Sequence, residues 1–193
     1  MQALKDRIRQ EGTVHPGSIV KVDSFLNHQV DARFLGLIAD EFAKQFDLSQ
    51  VTKIFTVEAS GIALAAVCSY KFGIPMVFAK KAKSDNIEGG LYQTATYCYA
   101  PNNHNALICA KEFITKDDRV LIVDDFLSGT QEIRGLIGIV GQAGAALAGI
   151  GVAVEKGFHG GGDQLRSEGY PLKSLVIIDK ATDDGFIFRE YKN

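Results

Sequence analysis

The chain reads as an α/β protein built on a parallel, doubly wound sheet with helices on both faces, and three observations carry that reading. Strand-like apolar runs alternate with helical patterns through the middle of its 193 residues, as when parallel strands are joined by crossover helices. One run, Val120-Leu121-Ile122-Val123, has four apolar residues, three of them β-branched, as strands buried on both faces do. Two runs, one ending at Val57 and one at Asp124-Asp125, pass through short loops of small residues straight into helix, the make-up of a ligand-binding sheet edge.

Taken in order, residues 3–11 form a short amphipathic helix with Leu4 and Ile8 inward, broken by Gly12 and Pro16-Gly17. Residues 18–31 alternate briefly and then lose period, so an irregular segment lying over the rest is expected. Asp31 can cap a helix to about residue 46, with Phe34, Ile38, Phe42 and Phe46 on one stripe. Residues 51–57 make a core strand, Glu58-Ala59-Ser60-Gly61 a loop, and 62–72 an Ala-rich helix ended by Gly73. Residues 75–79 are a short strand, from which Lys80, Lys81 and Lys83 lead into a polar, mobile loop over 84–90. Residues 93–100 alternate like an exposed hairpin arm, with 106–113 as its return or a new strand, and Asp117-Asp118 turn the chain into the run at Val120.

The helix after that run ends at Ala143-Gly144. A strand rich in small residues follows over 145–154 and ends in Glu155-Lys156-Gly157-Phe158. His159-Gly160-Gly161-Gly162 reads as a flexible loop and 163–168 as a short helix. Strands at 175–178 and 186–188 close the chain and are expected in a small cap above the strand ends.

The length suits one domain with a sizeable core, residues 1–193. A net charge of −2 provides no basic field for nucleic acid. Cys68, Cys98 and Cys109 have no pairing or zinc spacing, and the four histidines have no ligand spacing. No apolar run spans a membrane and the N-terminus is not a signal peptide, so a cytoplasmic protein is expected.

The chemistry concentrates at Asp124-Asp125-Phe126-Leu127-Ser128-Gly129-Thr130-Gln131-Glu132. Backbone N–H groups of a small-residue loop and a helix N-terminus suit a phosphate. Two carboxylates emerging from a strand end would repel a phosphate at close range but suit sugar hydroxyls beside it. The ordinary alternative is a strand-to-helix turn with Asp125 or Ser128 as a cap, and a cap explains one acidic residue, not two. Glu58 to Gly61 is equally a tight turn or a second anion loop.

This stretch resembles the phosphoribosyl-diphosphate (PRPP) motif of the type I phosphoribosyltransferases. In that family the acidic pair holds the ribose hydroxyls and the loop cradles the 5-phosphate. The resemblance assigns the ribose to Asp124 and Asp125, and the phosphate to Ser128, Gly129, Thr130, Gln131 and Glu132. It assigns pyrophosphate to Ala59 and Ser60, with Lys81, or its neighbours Lys80 and Lys83, closing over the leaving group. The family order is Thr-Gly or Asn-Gly where this chain has Gly129-Thr130, so strain at Thr130 is expected if it inherits a left-handed conformation.

The segment from Lys21 to Asp31, the loop from Glu58 to Ala63 and the strand end from Ile150 to Phe158 look like the xanthine branch of the family. That branch implies a small hood subdomain from about 12–31 plus the C-terminal segment, and a flexible loop at about 80–100. It implies a purine site made by Val20, Asn27, Lys156 and Phe158. Without it, Lys156 reads as a snorkelling lysine, Asn27 as a loop residue bonding its own backbone, and Phe158 as core. The implied reaction moves the 5-phosphoribosyl group from PRPP to xanthine, giving xanthosine 5-monophosphate (XMP) and pyrophosphate in purine salvage. Guanine, hypoxanthine or adenine are the rival bases, and a non-catalytic PRPP-sensing regulator is the rival class. Mg2+ would be held mainly by PRPP and pyrophosphate, with no protein side chain assigned to it, and a homodimer is implied.

Overall fold

A computed structural model describes residues 1–17, 19–83, 90–97, 104–182 and 185–190. The chain opens with helix α1 (Gln2–Glu11), which buries Leu4 and Ile8 as its periodicity predicts. Two short antiparallel strands follow, β1 (Thr13–His15) and β2 (Ile19–Lys21), and then one π-helical turn over Asp23–Asn27. The segment expected to be irregular is thus an ordered hairpin and turn, anchored by the buried side chains Val20, Val22, Phe25 and Leu26. Arg7 fastens it, with its guanidinium 4.7 and 4.6 Å from the ring centroids of Phe25 and Phe34 and 2.6 Å from Asp31 Oδ2. Helix α2 (Ala32–Gln45) starts at Asp31, whose side chain accepts the Phe34 N–H at 3.1 Å.

Strand β3 (Lys53–Val57) leads through residues 58–60 into α3 (Gly61–Phe72), which Gly73 ends at φ +67. Strands β4 (Met76–Lys83), β5 (Leu91–Tyr97) and β6 (His104–Ala110) form an antiparallel extension. The flexible loop expected at about 80–100 is therefore strand over 80–83 and 91–97; the expectation for 84–89 and 98–100 lies outside the described residues. The arm is also not a free flap. Gln142 clasps the Gln93 backbone at 3.2 and 2.7 Å, and Thr94 Oγ1 donates to Gly135 O at 3.0 Å.

Strand β7 (Arg119–Leu127) runs into α4 (Gln131–Ala143), then β8 (Ala146–Lys156), a 3-10 turn, and α5 (Gly161–Ser167). The loop expected at His159 to Gly162 is thus that turn and the first residues of α5. Strands β9 (Leu172–Thr182) and β10 (Gly185–Phe188) close the chain. They do not cap the strand ends as expected but extend the main sheet, with Phe186 3.1 Å from where a Gly12 Cβ would stand.

The sheet order is β10-β9-β8-β7-β3-β4-β6-β5, parallel from β9 through β4. Side chains alternate between two cores. Leu121, Val123 and Ile54 face α2 and α3, whereas Val120, Ile122 and Phe55 face α4 and Leu165 of α5. The glycines and alanines of β8 have a physical cause, since a Cβ at Gly151 would stand 3.1 Å from the rings of both Phe42 and Phe46. From β3 the chain steps outward to β4 on one side, and from β7 through β8 to β9 on the other. The winding reverses between β3 and β7, and the loops after those two strands part around a crevice.

Candidate active site

The acidic pair lies inside β7, not beyond its end. Asp124 and Asp125 are 3% and 2% exposed, so the expected emergence into water does not occur. Helix α3 covers them. A Cβ at Gly61 would stand 2.5 Å from Asp124 Oδ1 and would also collide with Thr56 Oγ1, so only glycine lets the helix start so close. Ser60 Oγ donates to Asp125 Oδ1 at 2.9 Å, and the Asp125 N–H donates to Asp124 Oδ1 at 3.0 Å. Asp125 Oδ2 and Thr56 Oγ1 are buried without a partner. Burial pushes the Asp124 carboxyl well above its usual range, with the Asp125 charge adding to it. Burial also raises Asp125, against the Ser60 hydroxyl, which lowers it.

Two backbone loops border the pair. Thr130 is the N-cap of α4 at φ −96 and makes no side-chain cap bond, so neither Asp125 nor Ser128 caps the helix. The first-turn N–H groups have no intrahelical partner and point out of the helix end. Gly129 is not left-handed either, and the strain expected from the Gly-Thr order is absent because both residues keep negative φ. On the other side, the Glu58–Ala59 peptide is cis, and Glu58 Oε1 accepts the Lys81 N–H at 2.5 Å. Lys81 Nζ crosses to Glu132 Oε1 at 2.6 Å and so links β4 to the start of α4. Lys80 faces oppositely, lining an apolar groove with Met76, Phe78 and Leu91; the Lys83 side chain lies outside the described residues.

Two of the purine-site candidates, Lys156 and Phe158, lie at the neighbouring strand end. Lys156 closes β8, half-buried, with Nζ 5.3 Å from the centroid of Phe126, and burial lowers its pKa. Phe158 sits in the 3-10 turn beside His159, ring centroids 4.6 Å apart. Phe126, Phe158 and Val20 belong to the same apolar core, the one that α2 and α3 cover. Asn27 ends the π turn, with Oδ1 buried and unpartnered. Cys68 and Cys109 are not candidate nucleophiles, since burial pushes their thiols up to about 12 and about 11.

Comparison with known families matches residues 27–188 to the phosphoribosyl transferase domain. The chain belongs to the phosphoribosyl transferase family. It is 48% identical over 180 residues to a xanthine phosphoribosyltransferase of Bifidobacterium longum subsp. infantis, covering 93% of each chain. It is 46% identical over 191 residues to a xanthine phosphoribosyltransferase of Lachnoclostridium phytofermentans, covering 98% of each. Among solved structures, the fold is similar to that of adenine phosphoribosyltransferase from Saccharomyces cerevisiae, with a TM-score of 0.73 at 16% identity over 91% of this chain and 99% of that one.

Against that fold, the structure joins Ser60 to Asp125 and Lys81 to Glu132, two links across the crevice that sequence spacing does not show. Sequence reading assigned no site role to Thr56, Phe126 or Glu58, which stand beside the residues it singled out. Thr56 had a signal, as the one hydroxyl among apolar neighbours in β3. Phe126 had one in its place directly after the acidic pair. Glu58 had none, because its role is to bond the backbone of a different strand.

Proposed function

We propose that this phosphoribosyl transferase moves the 5-phosphoribosyl group from PRPP to xanthine, giving XMP and pyrophosphate. The observation that carries the reading is the buried acidic pair with one unpartnered oxygen, set at the sheet's winding reversal between two loops suited to anions. The names of its relatives support the same reaction. Asp124 and Asp125 receive the ribose hydroxyls, which provide the hydrogen bonds that Asp125 Oδ2 lacks. Their negative charge lies near the ribose as it becomes oxocarbenium-like and pyrophosphate leaves. The N–H groups of residues 128–132 hold the 5-phosphate, and Ala59 and Ser60 border the pyrophosphate. Lys81 exchanges Glu132 for the leaving group.

On the base side, Lys156 donates to the 6-oxo group and favours the purine anion that attacks, while Phe158 and Val20 give apolar walls. Asn27 sets the contact at carbon 2. Its Nδ2 is the donor that a 2-oxo oxygen needs. Among the described residues no three acidic, histidine or cysteine side chains gather as a metal cage, while the acidic pair offers oxygens beside the diphosphate position. Magnesium suits that arrangement when PRPP supplies most of its ligands, and bound there it neutralises charge on the leaving group.

The proposal includes the hood over residues 12–31 as a cover for the base, a homodimer and a cytoplasmic setting. No described helix is long and apolar enough to cross a membrane. The test is pyrophosphate release with PRPP and a purine panel. Xanthine is expected first, then guanine, then hypoxanthine; equal use of hypoxanthine and xanthine overturns the assignment of base. Sedimentation at assay concentration tests the dimer.

A further inference from the structure

A chain of ion pairs wraps the strand end that carries Lys156. Glu155 is completely buried in front of it. Ser174 Oγ donates to Glu155 Oε2 at 2.5 Å, and Arg166 bonds both carboxylate oxygens, Nη1 to Oε1 at 3.1 Å and Nη2 to Oε2. Arg166 also reaches Asp163 at 3.1 Å. Asp163 is shared with Arg189, at 2.6 and 3.0 Å, and Arg189 closes on Asp179 with bonds of 2.8, 3.0 and 3.2 Å.

The far end of this chain presses on the residue after Lys156. A Cβ at Gly157 would stand 2.6 Å from Asp179 Oδ1 and 3.1 Å from Arg189 Nη2. The Arg189 backbone N–H is itself pinned to Ile177 O at 2.8 Å, one residue before Ile178, the neighbour of Lys156 in β9. Lys156 is therefore flanked on one side by a fully bonded carboxylate and on the other by a glycine held against an arginine fork. Arg189 lies just past the segment, residues 27–188, that matches the family.

We propose that Arg189 is a positioning residue for base recognition. Through its simultaneous hold on Asp163 and Asp179 it keeps Gly157 in place, and thereby sets where Lys156 and Phe158 meet the purine. The two-carboxylate grip uses the planar fork of arginine, which an ammonium cannot reproduce. The inference rests on the assignment of Lys156 and Phe158 to the purine.

The test measures separate KM values for xanthine and PRPP in Arg189→Ala, Arg189→Lys and the near-isosteric Asp179→Asn, with melting curves for each. The expected result is a rise of about tenfold or more in xanthine KM for Arg189→Ala and Arg189→Lys, and a smaller rise for Asp179→Asn. PRPP KM should change clearly less than xanthine KM, because Arg189 presses on Gly157 directly and reaches the loop after β7 only through the start of α5. The xanthine-to-guanine ratio should fall with the rise in KM. Unchanged xanthine KM, equal rises in both KM values, full rescue by lysine, or failure of all three variants to fold would each overturn the positioning role. Should the wild-type protein prefer another purine, the assignment of xanthine falls while the clamp is judged by the same measurements on that purine.

Discussion

Two buried carboxylate sites stand side by side at the ends of β7 and β8, and they are built in opposite ways. At the end of β8, Glu155 is bonded on both oxygens by Arg166 and Ser174. In β7, Asp124 and Asp125 adjoin with no cation on either among the described residues, and Asp125 Oδ2 and nearby Thr56 Oγ1 have no partner there. A buried polar group without a partner costs about 1–3 kcal/mol, so the β7 site stays costly until something with hydroxyls arrives. The contrast teaches how to tell a carboxylate that awaits substrate from one that holds a wall. Burial alone does not separate them; completeness of bonding does.

The sharpest way to break the comparison is to remove charge from the unpaired side. Asp124→Asn with Asp125→Asn should lower turnover by at least about 10²–10³-fold in a folded protein. The same variant should melt higher than wild type at pH 7. Both carboxyls hold their protons more tightly folded than unfolded, so stability falls as pH rises from the unfolded value of 3.8 through the raised folded values. The stability advantage of the variant should therefore shrink toward pH 4. Near-normal turnover, or a lower melting point at pH 7, would end the assignment of the pair to substrate.

The paired side should respond the other way. Glu155→Ala removes the bonds that Ser174 and Arg166 make to the buried carboxylate and should destabilise by about 3 kcal/mol in urea unfolding. A loss under about 1 kcal/mol would mean that water satisfies the site and that it is not a rigid wall.

A smaller effect should sharpen the comparison at Asn27, an open group on the base side. Asn27→Ala should compress the spread of kcat/KM across xanthine, guanine and hypoxanthine, by up to the roughly 5- to 150-fold that one unpaired polar contact is worth. Unchanged ratios would remove Asn27 from base selection.

The smallest effect is expected at the loop. Exchanging Gly129 and Thr130 should bring no gain in PRPP affinity, because Thr130 already sits at φ −96 without strain. A clear fall in KM for PRPP would show that the loop adopts a left-handed conformation when it binds.

Much of this molecule was legible from local pattern. The cap at Asp31, the stops at Gly73 and Gly144, and the βα loops after Val57 and Leu127 stand where the residues predict them. Each depends on the chemistry of a few neighbouring residues. The failures have a common cause as well. Lysines over 80–83 read as a loop because charge suggests solvent, yet pairing with β6 made them a strand. The glycines at 160–162 read as flexible, yet Gly162 is small because a Cβ there would meet the Glu155 carboxylate and Gly161 because one would stand 2.8 Å from Ser128 O.

By itself, the sequence determined the class of sheet, the place of the acidic pair on it and the small-residue loops around that pair, because these follow from side-chain period and short-range backbone chemistry. Tertiary structure alone decided that the pair is buried with Asp125 Oδ2 unpartnered, that Ser60 and Lys81 reach across the crevice, and that Arg189 grips Asp163 and Asp179. These are distances between residues far apart in the chain, set by which strands lie side by side, and no local pattern encodes them.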